Sequence, residues 1–283
     1  MIKLIDSKKE LQAYLNLIKN KNIGLVPTMG NLHEGHISLL KKSIEENDIS
    51  VLTIFVNPTQ FGPNEDFAKY PRTLDQDLSK IENLILHIND SQKEVIVFAP
   101  SSNTEIYPPG FTTSISIGAM KEKLCGKVRP THFDGVTTVV FKIFKLINPT
   151  KAYFGQKDFQ QCAIIKKMIF DLELPIEMKV MPIIRNSLGL ALSSRNQYLT
   201  EKEMNDALHL PKTLKHIVEL SSENKNIDDF IAQELKDERW DYLEVLDSTT
   251  LEKENSTTTE LVIVGALKIN KTRLLDNILV KKC

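Results

Sequence analysis

Pro27-Thr28-Met29-Gly30-Asn31-Leu32-His33-Glu34-Gly35-His36 is the stretch on which the reading of this chain turns. An apolar run, residues 23–26, leads into it and predicts a short buried strand; residues 27–35 read as a turn, and residues 37–44 as the start of a helix. That order sets a helix N-terminus beside the turn, where unpaired backbone N–H groups and a partial positive charge favour an anion. Gly30 and Gly35 let the backbone approach a ligand closely, and the imidazoles of His33 and His36 can donate to phosphate oxygens. The plain alternative is two polar residues at a helix start. Zinc is disfavoured, because metalloproteases space their histidines at i and i+4 with a glutamate between them, whereas here the spacing is three and a glycine intervenes.

Working outward, short apolar runs alternate with helical patterns as far as about residue 180, the pattern of crossover units around a parallel sheet. Expected strands are residues 23–26, 49–56, 94–98, 152–154 and 177–184, and residues 112–117 alternate in a way that fits a strand outside the main sheet. Expected helices are 8–19 with Ser7 as its cap, 74–86, 136–147 and 158–171. Beyond residue 184 come a serine-containing loop, a helix over about 200–220, another near 227–238, and three antiparallel-looking runs, 241–246, 261–269 and 272–280. The expected architecture is α/β: a doubly wound parallel sheet over 1–184, followed by a smaller C-terminal α+β lid domain over 185–283.

Composition narrows the function classes. A chain of 283 residues can bury a sizeable core, and its formal net charge of −1 gives no electrostatic case for nucleic acid or membrane surfaces. The first residues lack the apolar core of a signal peptide and no run is long enough to span a bilayer, so a cytoplasmic location is expected. Cys125, Cys162 and Cys283 are widely spaced and odd in number, and read as reduced thiols.

Three further clusters lie just past expected strand ends or at the domain junction, where a doubly wound sheet places its ligands. In Phe55-Val56-Asn57-Pro58-Thr59-Gln60-Phe61-Gly62 a strand runs into two amides, which suit hydroxyls and carboxylates; an Asx-type turn is the competing reading. In Tyr153-Phe154-Gly155-Gln156-Lys157-Asp158-Phe159-Gln160-Gln161, Gly155 allows close approach to a ribose, Asp158 can accept from its hydroxyls, and Lys157 can neutralise phosphate. Gln161 lies one helical turn past Asp158 on the same side. In Leu192-Ser193-Ser194-Arg195-Asn196 two hydroxyls and a guanidinium suit the phosphates of a nucleotide, and the loop reads as a mobile jaw that orders on ATP.

Together with Tyr70-Pro71-Arg72-Thr73 and His132-Phe133-Asp134-Gly135-Val136, these segments closely resemble the pantothenate synthetase (pantoate–beta-alanine ligase) family of the HIGH-type nucleotidylyltransferases, over nearly the whole chain. The resemblance implies a Rossmann-like fold, a homodimer, and a two-step reaction. Pantoate attacks the α-phosphate of ATP to give pantoyl adenylate and pyrophosphate, and beta-alanine then displaces AMP to give pantothenate. It further implies that Met29, Gly30, Asn31, Leu32, His33, Glu34, Gly35, His36, Gly155, Gln156, Lys157, Asp158, Ile184, Leu192, Ser193, Ser194 and Arg195 line the ATP site. His36, His33 and Lys157 would be catalytic, and Gln60, Gln161 and Asn57 would hold pantoate or beta-alanine. Magnesium is expected with ATP, with Asp77 as a candidate ligand; Asp75 and Asp77 also suit a helix N-terminus. One departure concerns the segment before the serine loop. Many members read Arg-Glu-x-Asp-Gly-Leu-Ala there, whereas this chain has Arg185-Asn186-Ser187-Leu188-Gly189-Leu190-Ala191 and lacks both acids. Two other classes compete: a nucleotidylyltransferase acting on a phosphate-bearing acceptor, which would favour extra cations over Asn57, Gln60 and Gln161, and a nucleotide-binding scaffold without chemistry.

Overall fold

Strands that are apolar on both faces need cover on both sides, and such strands at the centre, with a more polar strand at each edge, form a six-stranded parallel sheet with crossover helices in this computed structural model. The structure describes residues 2–282 except Pro63, Asn64, Asp66, Ser91 and Asn224; Cys283 thus lies outside the described residues. In chain order the first elements are β1 (Ile2–Ile5), α1 (Lys8–Leu17), β2 (Ile23–Thr28), α2 (Glu34–Glu46), β3 (Ile49–Ile54), α3 (Leu74–Ile88) and β4 (Glu94–Phe98). There follow α4 (Cys125–Val128), α5 (His132–Ile147), β5 (Lys151–Gly155), α6 (Phe159–Asp171) and β6 (Glu177–Met181). The strand order is β1-β4-β3-β2-β5-β6, with every pairing parallel. The order reverses at β2, so the loop leaving its C-terminal end sits at the topological switch point, where open α/β sheets take their ligands.

Two units make up the chain: Met1–Gly155 with Ile164–Met181, and Gln156–Ala163 with Pro182–Cys283. In the first, Val26, Leu40, Leu52, Ile81, Val97 and Tyr153 lie at the centre of a core between α2, α3 and the sheet. The second consists largely of α7 (Glu201–Ala207), α8 (His209–Ser222), α9 (Ile227–Glu234), β7 (Trp240–Asp247), β8 (Glu260–Ile269) and β9 (Thr272–Lys281). Its three strands form an antiparallel sheet in the order β7-β8-β9, and Leu210, Leu214 and Ile217 of α8 pack with Leu243, Ile263 and Leu267.

Several boundaries differ from those read in the sequence. The edge strand β1 was not expected: it is four residues long and includes a lysine, too short for alternation to register. The last strand of the main sheet ends at Met181 and not at residue 184, because Pro182 has no N–H to continue the ladder, and Ile184 therefore stands in a loop. The single helix expected over 200–220 is two helices meeting at Leu208, with Pro211 in the first turn of the second, where a missing N–H costs little. Residues 112–117 form no strand; the Ile115 N–H donates to Thr138 Oγ1 at 2.9 Å and its carbonyl accepts from Thr137, so the backbone is tied to α5.

Candidate active site

The β2–α2 turn is shaped by left-handed backbone at Gly30 (φ 80°) and Asn31 (φ 49°), which points two successive N–H groups in one direction. Both meet Asp77 of α3, whose oxygens accept from Asn31 N–H at 2.9 Å and Leu32 N–H at 2.7 Å, with Thr73 Oγ1 at 3.2 Å. Asp77 is fully buried. Its carboxylate accepts from three donors in the loop and helix start, which gives it a supporting task in the turn.

His33 is the N-cap of α2, and the two rings interlock with the helix start. His33 Nδ1 accepts from Gly35 N–H at 3.1 Å, and His36 Nδ1 accepts from His33 N–H at 3.3 Å. Since a backbone N–H only donates, each neutral ring carries its proton on Nε2 and has a donor there suited to a phosphate oxygen. The ring centroids are 4.1 Å apart. Gly35 is required by this arrangement, because a Cβ there would lie 2.8 Å from His33 Cε1.

Past β3, a one-turn 3-10 helix, Pro58–Gln60, presents Gln60 toward the same loop: its Nε2 lies 3.1 Å from Met29 Sδ. Asn57, almost fully buried, donates from Nδ2 to Gln60 Oε1 at 3.0 Å and to the Gly135 carbonyl at 3.1 Å. The Gln60 carbonyl accepts from His132 Nδ1 at 2.9 Å. His132 Nε2 in turn lies 3.1 Å from Arg129, which pairs with Glu65. Burial pushes the Glu65 carboxyl up, but the hydrogen bonds and charge of Arg129 outweigh it and hold the pKa below the usual carboxylate value. Gly135 completes the clamp: a Cβ would fall 2.4 Å from the Thr59 carbonyl, so only glycine lets α5 approach the turn.

In the second unit, two adjacent residues of β9 organise the remaining residues of interest. Asn277 donates to the carbonyls of Gln156 at 2.9 Å and Lys157 at 3.1 Å and accepts from Gln156 Nε2 at 3.0 Å. Lys157 Nζ lies 3.2 Å from Asp158, and Gln161 is part-buried near the start of α6. Asp276 holds Arg185 through two bonds of 2.6 and 2.8 Å. The segment from Ile184 to Leu192 folds back on itself, with Leu192 N–H donating to Ile184 at 2.8 Å. Asn186 Oδ1 accepts from Leu188 N–H at 3.1 Å and Leu190 N–H at 2.9 Å, so an amide closes the turn at a position where many relatives were expected to carry an acid. Ser193 Oγ accepts from Arg195 N–H at 3.3 Å, and Arg195 is exposed.

The first unit thus brings Met29–His36, Asn57 and Gln60 together; Gly155 ends its strand β5. Lys157, Asp158, Gln161, Ile184 and Leu192–Arg195 belong to the second unit. Sequence reading missed Tyr107, Arg129 and Asn277 and singled out His132 and Gly135 only by resemblance, because each works on a partner tens of residues away. Among the described residues no group of three or more His, Cys, Asp or Glu could hold a metal ion, so they build no dedicated cage for magnesium. No described helix is long and apolar enough to cross a membrane.

The family model described as pantoate-beta-alanine ligase matches residues 3–279. The pantothenate synthetase of Acetivibrio thermocellus is 44% identical over 99% of this chain and all of its own length, and that of Thermosipho melanesiensis 43% over 99% of both. A crystal structure of the Thermus thermophilus pantothenate synthetase superposes with a TM-score of 0.86 at 35% identity, covering 98% of this chain and 99% of that one. The Francisella tularensis pantoate-beta-alanine ligase, complexed with beta-gamma ATP and beta-alanine, gives 0.73 at 32%, covering 99% and 98%. With the paired histidines and the buried amides in place, the chain belongs to the pantoate-beta-alanine ligase family, the pantothenate synthetases.

Proposed function

We propose that the protein joins (R)-pantoate to beta-alanine in two steps through a pantoyl adenylate, releasing pyrophosphate and then AMP. The observation that carries this reading is the contact between the β2–α2 turn and Gln60: a loop suited to phosphate and a buried amide pair suited to a hydroxy acid meet at Met29 Sδ. A free carboxylate is a poor acceptor for an amine, and transfer of the nucleotide supplies AMP as a good leaving group. In this reading His33 and His36 donate through Nε2 to the α-phosphate as negative charge builds on it, and the N-terminus of α2 adds its N–H groups. Gln60 addresses pantoate, and Gln161 is assigned to the same substrate by the family resemblance. Gly155–Asp158, Ile184 and Leu192–Arg195 address ATP, with Lys157 and Arg195 offsetting phosphate charge. The Francisella relative's complex with beta-gamma ATP and beta-alanine supports the same two substrates here.

Magnesium, when bound, would offset the charge of the triphosphate; among the described residues no cluster of three or more His, Cys, Asp or Glu could hold it, and we expect the ion to enter on phosphate oxygens and water. The same reading includes a homodimer, for which light scattering should give twice the chain mass of 32.2 kDa. The reaction is tested by omission. ATP-to-AMP conversion should require pantoate, and sustained turnover should require pantoate and beta-alanine together. Turnover with a phosphate-bearing acceptor in place of pantoate would contradict it. The histidine assignment is tested with His36→Ala, which should cost on the order of a hundredfold in pyrophosphate release while the melting temperature stays near wild type.

A further inference from the structure

The hydrogen bonds around Asn57 run in only one consistent direction. The Gly135 carbonyl can only accept, so the amide edge 3.1 Å from it is Nδ2; the Thr59 N–H can only donate, so the edge it meets at 3.4 Å is Oδ1. The same Nδ2 faces Gln60 at 3.0 Å, which forces Gln60 to turn Oε1 inward and leaves Nε2 as the group it presents. That N–H points at a thioether, a weak acceptor that an incoming oxygen readily replaces.

At the far end of this chain of bonds stands Tyr107, which no reading of the reaction uses. Its hydroxyl lies 2.8 Å from Asn57 Oδ1 and 3.1 Å from Thr59 Oγ1, which itself reaches Oδ1 at 3.0 Å. The ring is held against Phe55 (centroids 6.2 Å apart) and Phe111 (5.2 Å), and the Lys142 ammonium sits 4.2 Å from the Phe111 centroid. Burial pushes the phenol pKa up, so the hydroxyl keeps its proton and remains a donor throughout the physiological range.

We propose that Tyr107 is a positioning residue whose hydroxyl anchors Asn57 and, through Asn57, commits Gln60 to donating, so that the pocket selects a carboxylate over a carboxamide of the same shape. A carboxylate accepts at every edge and is matched by an N–H-only partner, whereas a carboxamide turned toward Gln60 also brings donors that find no acceptor. Without the Tyr107 hydroxyl, Asn57 loses its shortest bond at Oδ1 and keeps the longer ones from Thr59 and to the Gly135 carbonyl; its amide is held less firmly, and Gln60 can turn over more readily to present Oε1. The selectivity then falls even though neither amide has been changed.

This rests on the reading that Gln60 holds pantoate, and the experiment separates the two. Calorimetry would compare pantoate, the primary amide of pantoate, and ATP on the wild type, Tyr107→Phe and Gln60→Ala, with melting temperatures alongside. Tyr107→Phe should weaken pantoate about tenfold, the loss of one well-aligned charge-assisted bond, while the amide changes less and ATP affinity holds. The preference for pantoate over its amide should therefore narrow. An unchanged preference in Tyr107→Phe, with Gln60→Ala weakened for pantoate, overturns the relay while leaving the pocket assignment standing. Equal losses for pantoate and ATP with a lowered melting temperature also overturn it, reducing Tyr107 to a packing role. Pantoate affinity unaffected by Gln60→Ala would overturn the pocket assignment and the relay with it.

Discussion

A methyl group on Gly35 would meet His33 Nδ1 at 2.9 Å as well as Cε1, closer than a carbon can rest. Alanine nevertheless suits a helix better than glycine by about 1 kcal/mol. Gly35→Ala should therefore separate stability from chemistry: pyrophosphate release falls at least about tenfold as the His33 ring is displaced, while the melting temperature holds or rises. A fully active Gly35→Ala variant would show that the ring position is immaterial. Asp77 makes the opposite point, since its task is structural. Both oxygens accept from backbone N–H groups, and an asparagine could match only one of them, so Asp77→Asn should cost about 2 kcal/mol in denaturant unfolding without ATP or magnesium present. A loss seen only in magnesium dependence, with stability intact, would return Asp77 to the role of metal ligand.

Among elements, α2 carries both the site and one of the fold's charged ties. Its last residue, Glu46, bonds Lys42 one turn back at 3.0 Å and reaches β5 through Lys151 at 3.2 Å and Tyr153 at 3.0 Å. The Lys42 bond is the largest influence on its carboxyl; partial burial opposes it, the β5 partners add to it, and the pKa is held down to about 2. A depressed carboxylate stabilises the folded state fully above its unfolded value of 4.5, and that contribution is lost as pH falls from there toward 2. Glu46 is part-exposed, so screening leaves about 1 kcal/mol of the nominal effect. Glu46→Gln should thus lower stability by that amount at pH 7, with the gap to wild type closing between pH 4.5 and pH 2 in urea melts; a gap independent of pH would mean that packing, not charge, ties α2 to β5. On the other unit, the turn closed by Asn186 needs only an acceptor oxygen, which its amide supplies where the resemblance implied an acid.

Across the whole molecule, what could be read in the sequence is what depends on neighbours in sequence. Runs such as Ile49–Ile54, buried on both faces, and the order of strand, turn and helix were enough to give the doubly wound sheet, the antiparallel strands of the second unit and the turn that bears His33 and His36. The supports were not legible, because no local period links Asp77 to Leu32, Tyr107 to Asn57 or His132 to Gln60 across 45, 50 and 72 residues. Those long-range bonds fix the groups proposed to meet substrate, so the chemistry is visible in the motif and its precision only in the fold. The central claim is that the pantoate carboxylate attacks the α-phosphate of ATP. Turnover with pantoate labelled by oxygen-18 in its carboxylate tests it most directly. The account predicts one labelled oxygen in the phosphate of AMP and none in pyrophosphate; unlabelled AMP, or label in inorganic phosphate released with ADP, would contradict it.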